Sequence, residues 1–383
     1  MKKIFKYAML FSAACVMSLS FIACGDDENN NGGGKDIDIS DAAGLDYSSD
    51  YAEQWANYMV TVANLLEDDA TTLYKEWNNG YAATFMNHNG TEYGSAADCV
   101  QQIFEGCADI ANEVGSSKIG EPYDLYVSGK TTEALYAVES WYSWHSRDDY
   151  TNNIYSIRNS YYGSRNGSVN ANSLSALLAA KDADLDAEAT AKIKAAADAI
   201  QAIPQPFRNN INSKETVAAM EACADLEDFI KNKLAPYFAD NINDNATLDP
   251  VIKQYVEGVV LPTYKDLAEK NAALNVAVHN FKNSPSNANF TACANAWLTA
   301  REPWESSEAF LFGPVDELGL DPNMDSWPLD QDQIAQILKS QDFTNLNWDE
   351  SDTDDDIEAA QSLRGFHTLE YLIFKDGKAR TVK

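Results

Sequence analysis

The stretch SAADCVQQIFEGCADIANEV, residues 95–114, decides the fold class. Its apolar residues Val100, Ile103, Phe104, Cys107 and Ile110 recur at intervals of three and four, the period of one face of an α-helix. A half-buried strand would instead alternate at every second residue. The helical period extends through most of the chain. A first helix is predicted from Ser48 or Ser49 to about Trp77, with Tyr58, Val62, Leu65 and Leu66 facing inward. The segment 95–114 is the second. A third runs from about Thr131 to Tyr162 and stops at Gly163, a residue suited to a helix C-terminus. A fourth, Ala-rich helix opens at Asp186-Ala187-Glu188 and ends before Pro204, and a fifth runs from Ser213 to about Phe238. The sixth begins at Asp249-Pro250 and continues to about Lys282 despite Pro262. The seventh spans Asn287 to about Phe312 with Pro303 inside it, and the last begins after Gly365 and closes on Asp376-Gly377. Convincing strand patterns are absent. The expectation is an all-α protein of about eight main helices, packed as two four-helix-bundle units side by side.

The N-terminus reads as a targeting segment. Lys2 and Lys3 precede an apolar run from Tyr7 to Ile22 that closes on Ala23-Cys24, the pattern of a lipoprotein signal over residues 1–23. Cys24 is then the expected lipidation site, and residues 24–44, with their Asn/Gly tract, a flexible tether. The acidic residues after Cys24 resemble surface-export signals of Bacteroides-type lipoproteins. The expected location is the cell envelope, lipid-anchored to the outer membrane on its periplasmic face or at the cell surface.

Charge narrows the partners. The chain carries 59 Asp and Glu against 28 Lys and Arg, a formal net charge of −31. Such a surface repels nucleic acid and anionic lipid but suits cations. Cys99, Cys107, Cys223 and Cys293 lack the close spacing of a zinc or redox pair and fall in apolar helical patterns, so buried free thiols are expected.

Three segments carry chemistry. Gly365-Phe366-His367-Thr368-Leu369-Glu370 puts an imidazole and a carboxylate three residues apart, on one face of a helix. In a chain with only four histidines, any metal site is poor in imidazole. Alone, such a pair is more often a satisfied structural histidine than a ligand. The predicted seventh helix carries Trp297, Arg301, Trp304 and Glu308 at offsets of four, three and four, hence on one side. Arg301 and Glu308 could pair with each other or face a common ligand, and the plainer reading is a solvated face. On the predicted third helix, Ser143, Ser146, Asp149, Asn153 and Ser156 form a small-polar face of a kind that is usually just exposed. His88, His145 and His279 are assigned no role. The acidic run Asp349 to Asp356 lacks the Gly and terminal Glu of a calcium loop and is expected to cap the next helix.

Together these segments resemble the imelysin-like family. The run Trp297-x-x-x-Arg301-x-Pro303-Trp304-x-x-Ser307-Glu308-Ala309-Phe310-x-Phe312-Gly313-Pro314-x-Asp316 is similar to the block that precedes the family motif. Gly365-Phe366-His367-x-x-Glu370-Tyr371-Leu372 is similar to the Gly-x-His-x-x-Glu signature itself. The run Glu139 to Gly163 is similar to a third block. In ordinary members the third block comes after the signature, whereas here it precedes it and 13 residues lie beyond Glu370 (383 − 370). The resemblance therefore implies a circularly permuted helix order. It puts residues 45–90 and 248–383 in a first, discontinuous bundle that carries the signature, and residues 91–247 in a second.

The resemblance also implies a site in the cleft between the bundles, built from His367, Glu370, Arg301, Glu308 and Trp304 on one side and Ser143, Ser146, Asp149 and Asn153 on the other. Three functions suit such a site. The first is binding of iron or an iron chelate as part of uptake, alongside envelope iron-transport components. His367, Glu370 and Glu308 would then be metal ligands and Arg301 a clamp, since carboxylates, hydroxyls and one imidazole suit a hard or borderline cation. Haem is less favoured, with no obvious second axial residue. The second function is a metallopeptidase using His367 and Glu370, which lacks a His-Glu-x-x-His pattern and stands one ligand short of catalytic zinc. The third is a polar network that only locks the bundles together.

Overall fold

The structure, a computed structural model, describes residues 37–348 and 352–383. The expected signal segment, Cys24 and most of the tether lie outside the described residues, as do positions 349–351 of the acidic run. Among the described residues the helices that frame the site are α1 Ala52–Glu76, α2 Ala96–Asn112, α3 Ser146–Tyr162, α4 Ala183–Ala202, α5 Lys214–Phe229, α6 Asn245–Tyr255, α7 Leu261–Asn283, α8 Asn287–Glu305 and α9 Gly365–Ile373. The fold is all-α, as its periodicity predicts.

Local chemistry explains where helices start. Ser95, Ser213 and Ser286 each accept a backbone N–H of the first turn through their side chains, which satisfies a donor that the helix leaves unpaired. The acidic run does act as a cap. Thr353 and Asp356 bond each other's backbone N–H in a capping box at the start of the short helix Asp354–Gln361. Prolines are accommodated by widening. Wide π-turns at Glu113–Lys118, Ile230–Leu234 and Val256–Val260 lie just before Pro122, Pro236 and Pro262. A proline removes one N–H and pushes against the preceding turn, and a π-turn absorbs both without ending the helix. This is how α6 runs on into α7 past Pro262.

Helices α1, α7, α8 and α9 pack on one another, and so do α2, α3, α4 and α5. The two sets meet where α3 lies on α8 and where α2 meets the 3-10 turn Glu308–Phe310. That second approach depends on Gly106, since a Cβ there would stand 2.2 Å from the Ala309 carbonyl oxygen. Aromatic side chains fill much of the interior, with Trp77, Phe85, Tyr255, Tyr264, Phe310 and Phe312 in mutual contact. Cys99, Cys107, Cys223 and Cys293 are buried free thiols. Among the described residues no helix is long and apolar enough to cross a membrane.

Four local expectations are corrected. The predicted helix from Thr131 to Tyr162 breaks over residues 137–145, where Ser140 and Trp144 have φ of 50° and 61°. The predicted seventh helix ends at Glu305, two residues after Pro303, so Glu308 sits on the next turn and leaves the face of Arg301. The sixth starts at Asn245, capped by Asp244, rather than at Asp249. A small hairpin, Phe374–Lys375 with Lys378–Ala379, comes directly after α9. Its Gly377 N–H donates to the Tyr142 carbonyl at 2.9 Å and so anchors the broken segment.

Candidate functional site: a buried carboxylate and arginine core

Helix α9 begins against the short helix Leu320–Asp325. Gly365 has φ of +83°, and a Cβ there would lie 2.4 Å from the Met324 carbonyl oxygen, so only glycine lets the two come this close. The first two helical turns then deliver His367 and Glu370 to the interior, both fully buried. His367 Nδ1 and Glu370 Oε2 are 3.1 Å apart, and His367 Nε2 lies 3.1 Å from Asp325 Oδ1. Glu370 Oε1 accepts backbone N–H groups from Tyr142 at 3.0 Å and Ser143 at 2.7 Å. The break at 137–145 thus has a function in the fold: an uninterrupted helix would have used those donors internally.

Arg301, also fully buried, projects from α8 into the same core. It pairs with Glu305 at 2.5 Å, with Asp325, and with Asp149 at 3.8 Å, and its guanidinium lies over the Phe366 ring. Trp304 Nε1 donates to Asp325 Oδ2 at 2.6 Å. From α3, Asn153 Nδ2 donates to Glu305 Oε2 at 2.5 Å, while Asp149 meets His145 Nδ1 at 2.7 Å and accepts from the Ser140 hydroxyl. The small-polar face of α3 is buried rather than exposed, because it covers this charge. Its serines, and Ser143 in the broken segment before it, serve backbone. Ser143 donates to the Ser140 carbonyl at 3.4 Å, Ser146 to that of Glu139 at 2.5 Å and Ser156 to that of Asn153 at 2.5 Å.

Glu308 is buried beside this group. Its carboxylate lies 3.7 Å from Lys118 Nζ, which also meets Glu139 at 3.2 Å and Glu113 at 3.6 Å. Lys118 is itself buried at the end of the π-turn that extends α2. Carboxylate oxygens of Glu305, Glu308 and Asp325 lie within 4.8 Å of one another, a spacing at which they could hold one metal ion.

The electrostatics arise from crowding acids where water does not reach. Burial pushes the Glu305 carboxyl up to about 8, Arg301 opposing and Asp149 adding to the effect. Burial likewise raises Glu308 well above its ordinary value, against the attraction of Lys118. Asp321, one turn before Asp325, is pushed up to about 7 by burial and by Asp325. Asp325 moves the other way: burial would raise it, but Arg301 and His367 hold it far below the usual carboxylate range. Burial and Arg301 disfavour a charged His367, yet its bonds to Asp325 and Glu370 win and bring it to about 9. His145 also reaches about 9, since Asp149 outweighs burial.

Of the expected site residues, His367, Glu370, Arg301, Trp304, Asp149 and Asn153 come together. Glu308 joins the group through Glu305 and Asp325 and makes no pair with Arg301. Ser143 offers its backbone N–H, and Ser146 only supports the loop. The expected cleft is corrected to a closed core: Arg301, Trp304, Glu305, His367 and Glu370 are all fully buried. Of the expected ligand set His367, Glu370 and Glu308, both ring nitrogens of His367 face carboxylates, Glu370 meets His367 and two backbone N–H groups, and Glu308 lies with Glu305 and Asp325. Residue patterns missed Asp325, Lys118, Glu139, Ser140 and His145, which reach the core from other segments. Glu305 was visible in principle, one turn after Arg301 on the same helix.

An all-α fold with a Gly-x-His-x-x-Glu helix buried against an arginine and carboxylate core defines the class. The chain belongs to the imelysin family, whose model matches residues 30–232 and 260–383. An imelysin peptidase from Bacteroides ovatus, known from its crystal structure, is 58% identical, with 90% of this chain and 100% of that one covered and a TM-score of 0.89. The curated iron-regulated protein A of Synechococcus elongatus is 35% identical over 123 residues, 32% of this chain and 31% of that protein. The match to this curated relative thus spans about a third of its length.

Proposed function

We propose that the protein is an envelope-tethered member of the imelysin family that binds iron at Glu305, Glu308 and Asp325 as part of iron uptake. The observation that carries this reading is the convergence of those three buried carboxylates within 4.8 Å, with the acidity of Glu305 and Glu308 suppressed. Arg301 and Lys118 supply two positive charges to these three carboxylates, a proton or a bound cation would balance the third, and an all-oxygen donor set suits a hard ion. Asn153 Oδ1, buried and without a hydrogen-bond partner, belongs to the side chain that bonds Glu305 and adds a neutral oxygen nearby. The similarity to an iron-regulated protein supports iron over other hard cations.

In this reading His367 and Glu370 are positioning residues. Glu370 fixes the His367 ring and His367 aims Asp325, while Arg301, beside His367, holds Asp325 and Glu305. A closed core fits a bare ion better than an iron chelate or haem. It also disfavours peptide hydrolysis, because His367 has no free ring nitrogen and a peptide has no way in. The Cys24 lipid anchor, the outer-membrane location and a partner in envelope iron transport complete the proposal. The permuted helix order is supported by the contact between the two ends of the fold, where Ser49 N–H donates to the Lys383 carbonyl at 3.2 Å.

The full closure also favours a second reading, a non-binding network that locks the helix sets together. Metal analysis of purified protein, then iron(II) and iron(III) titration of wild type, Glu308→Gln and His367→Ala, separates the two. Iron binding predicts about one equivalent in wild type, lost in Glu308→Gln and weakened in His367→Ala. Absence of stoichiometric metal and identical titrations for all three leave only the structural network.

A further inference from the structure

Lys118 reaches the buried core by an unusual backbone route. It stands five positions after Glu113, a spacing that turns two side chains to different faces of an α-helix. The π-turn Glu113–Lys118 widens the coil and brings the pair to 3.6 Å. The Ile119 N–H closes the turn on the Val114 carbonyl at 3.0 Å. The same turn is pressed against α5, since a Cβ on Gly115 would stand 2.8 Å from that of Cys223. A wide turn thus delivers an ammonium into the interior, on a side chain only 5% exposed.

Glu305, Glu308 and Asp325 have different counter-charges. Arg301 pairs with Glu305 at 2.5 Å and with Asp325, and its rigid fork suits holding both at once. Glu308 instead has Lys118, at 3.7 Å. A lysine ammonium is a point charge on a flexible stem, so it changes partners by a small rotation. Its other partners are nearer. Both Glu139 oxygens accept from Nζ at 3.2 Å, and Glu113 lies at 3.6 Å. Glu308 is therefore the carboxylate that Lys118 holds least closely of these three. If another cation takes Glu308, then Glu139 and Glu113 keep the ammonium paired without exposing it to water.

We propose that Lys118 is a built-in competitor of the bound ion, neutralising Glu308 in the metal-free protein and withdrawing onto Glu139 and Glu113 when a multivalent cation enters. This inference rests on the iron-binding reading above. The exchange holds the affinity below what the three carboxylates alone would give, so a bound ion can be released again. It also selects by charge, because a cation of charge two or three attracts Glu308 more strongly than one ammonium does.

Anaerobic iron(II) titration of the full chain, with thermal unfolding with and without iron, tests this. The proteins compared are wild type, Lys118→Met, Glu139→Gln and the double variant. Lys118→Met should melt lower without metal yet bind iron about tenfold tighter or more, whereas a residue that only supported the fold would not raise affinity when removed. Glu139→Gln leaves Lys118 to Glu308 and Glu113, so binding should weaken. That effect should shrink in the Lys118→Met background, where no ammonium is left to redirect. If wild type binds iron, equal or weaker binding in Lys118→Met overturns the inference and leaves the site standing. Equal effects of Glu139→Gln in both backgrounds do the same, since independent fields would then explain them. Iron bound by none of these proteins overturns the site and the inference together. Should Lys118→Met fail to fold, Glu139→Gln is decisive alone: affinity equal to or above that of wild type overturns the exchange.

Discussion

Arg301 is the residue on which the core turns. It meets Glu305, Asp325 and Asp149 without exposure to water, so removing it leaves three carboxylates without their shared counter-charge. Arg301→Met should lower the unfolding free energy by about 3–5 kcal/mol, the usual cost of breaking a buried ion pair from one side. Chemical denaturation measures it, and a loss below about 1 kcal/mol would show the acids to be neutral already. His145 gives a pH signature. Its folded value of about 9 lies above the ordinary 6.5. The folded state therefore binds the extra proton between those values. The stability gained is fully present below about pH 6.5 and lost as pH rises through about 9. Asp149 is lowered and acts in the opposite window, its contribution lost only as pH falls below the ordinary carboxylate value of 3.8. Wild type should lose stability from pH 6.5 to 9, and His145→Gln should flatten that slope; parallel slopes would remove His145 from the account. Arg301 and Trp304 were legible as candidates because Trp beside charge on one helix face is unusual, and His367 because it stands three residues before Glu370. Asp325 and Lys118 were not, since nothing local distinguishes a buried Asp or Lys from an exposed one.

At the scale of elements, the start of α9 decides where His367 and Glu370 point. Gly365→Ala would place a methyl group 2.4 Å from the Met324 carbonyl oxygen at a positive φ. It should destabilise the fold by about 2 kcal/mol or more and displace the His367 ring from Asp325. Denaturation midpoints and the His367 imidazole resonances report these effects, and an unaltered His367 resonance would contradict its positioning by Gly365. Helix existence was legible throughout because amphipathic periodicity is strong. Helix ends were less so. The break at 137–145 interrupts residues with no Gly or Pro to announce it, and it exists to give the Tyr142 and Ser143 N–H groups to Glu370, more than two hundred positions away. The end of α8 at Glu305 was half legible, since Pro303 foretold a stop that the apolar residues beyond it obscured.

For the whole molecule, the net charge of −31 is not confined to the surface. Glu139, Asp149, Glu305, Glu308, Asp325 and Glu370 are brought inside by helices from both sets, against Arg301, Lys118 and the histidines. An acidic interior of this kind is maintained by protons or a bound cation, and the proposed function is the second case. Composition made cations the expected partners but did not reveal the closure of the core, because whether facing polar helices leave a gap depends on packing. The most direct measurement is anomalous diffraction at the iron edge from crystals grown with iron(II). Iron binding predicts one strong peak among the carboxylate oxygens of Glu305, Glu308 and Asp325, with His367 still bonded to Asp325 beside it. A peak on the His367 ring, or none in the core while the protein stays folded, would contradict it.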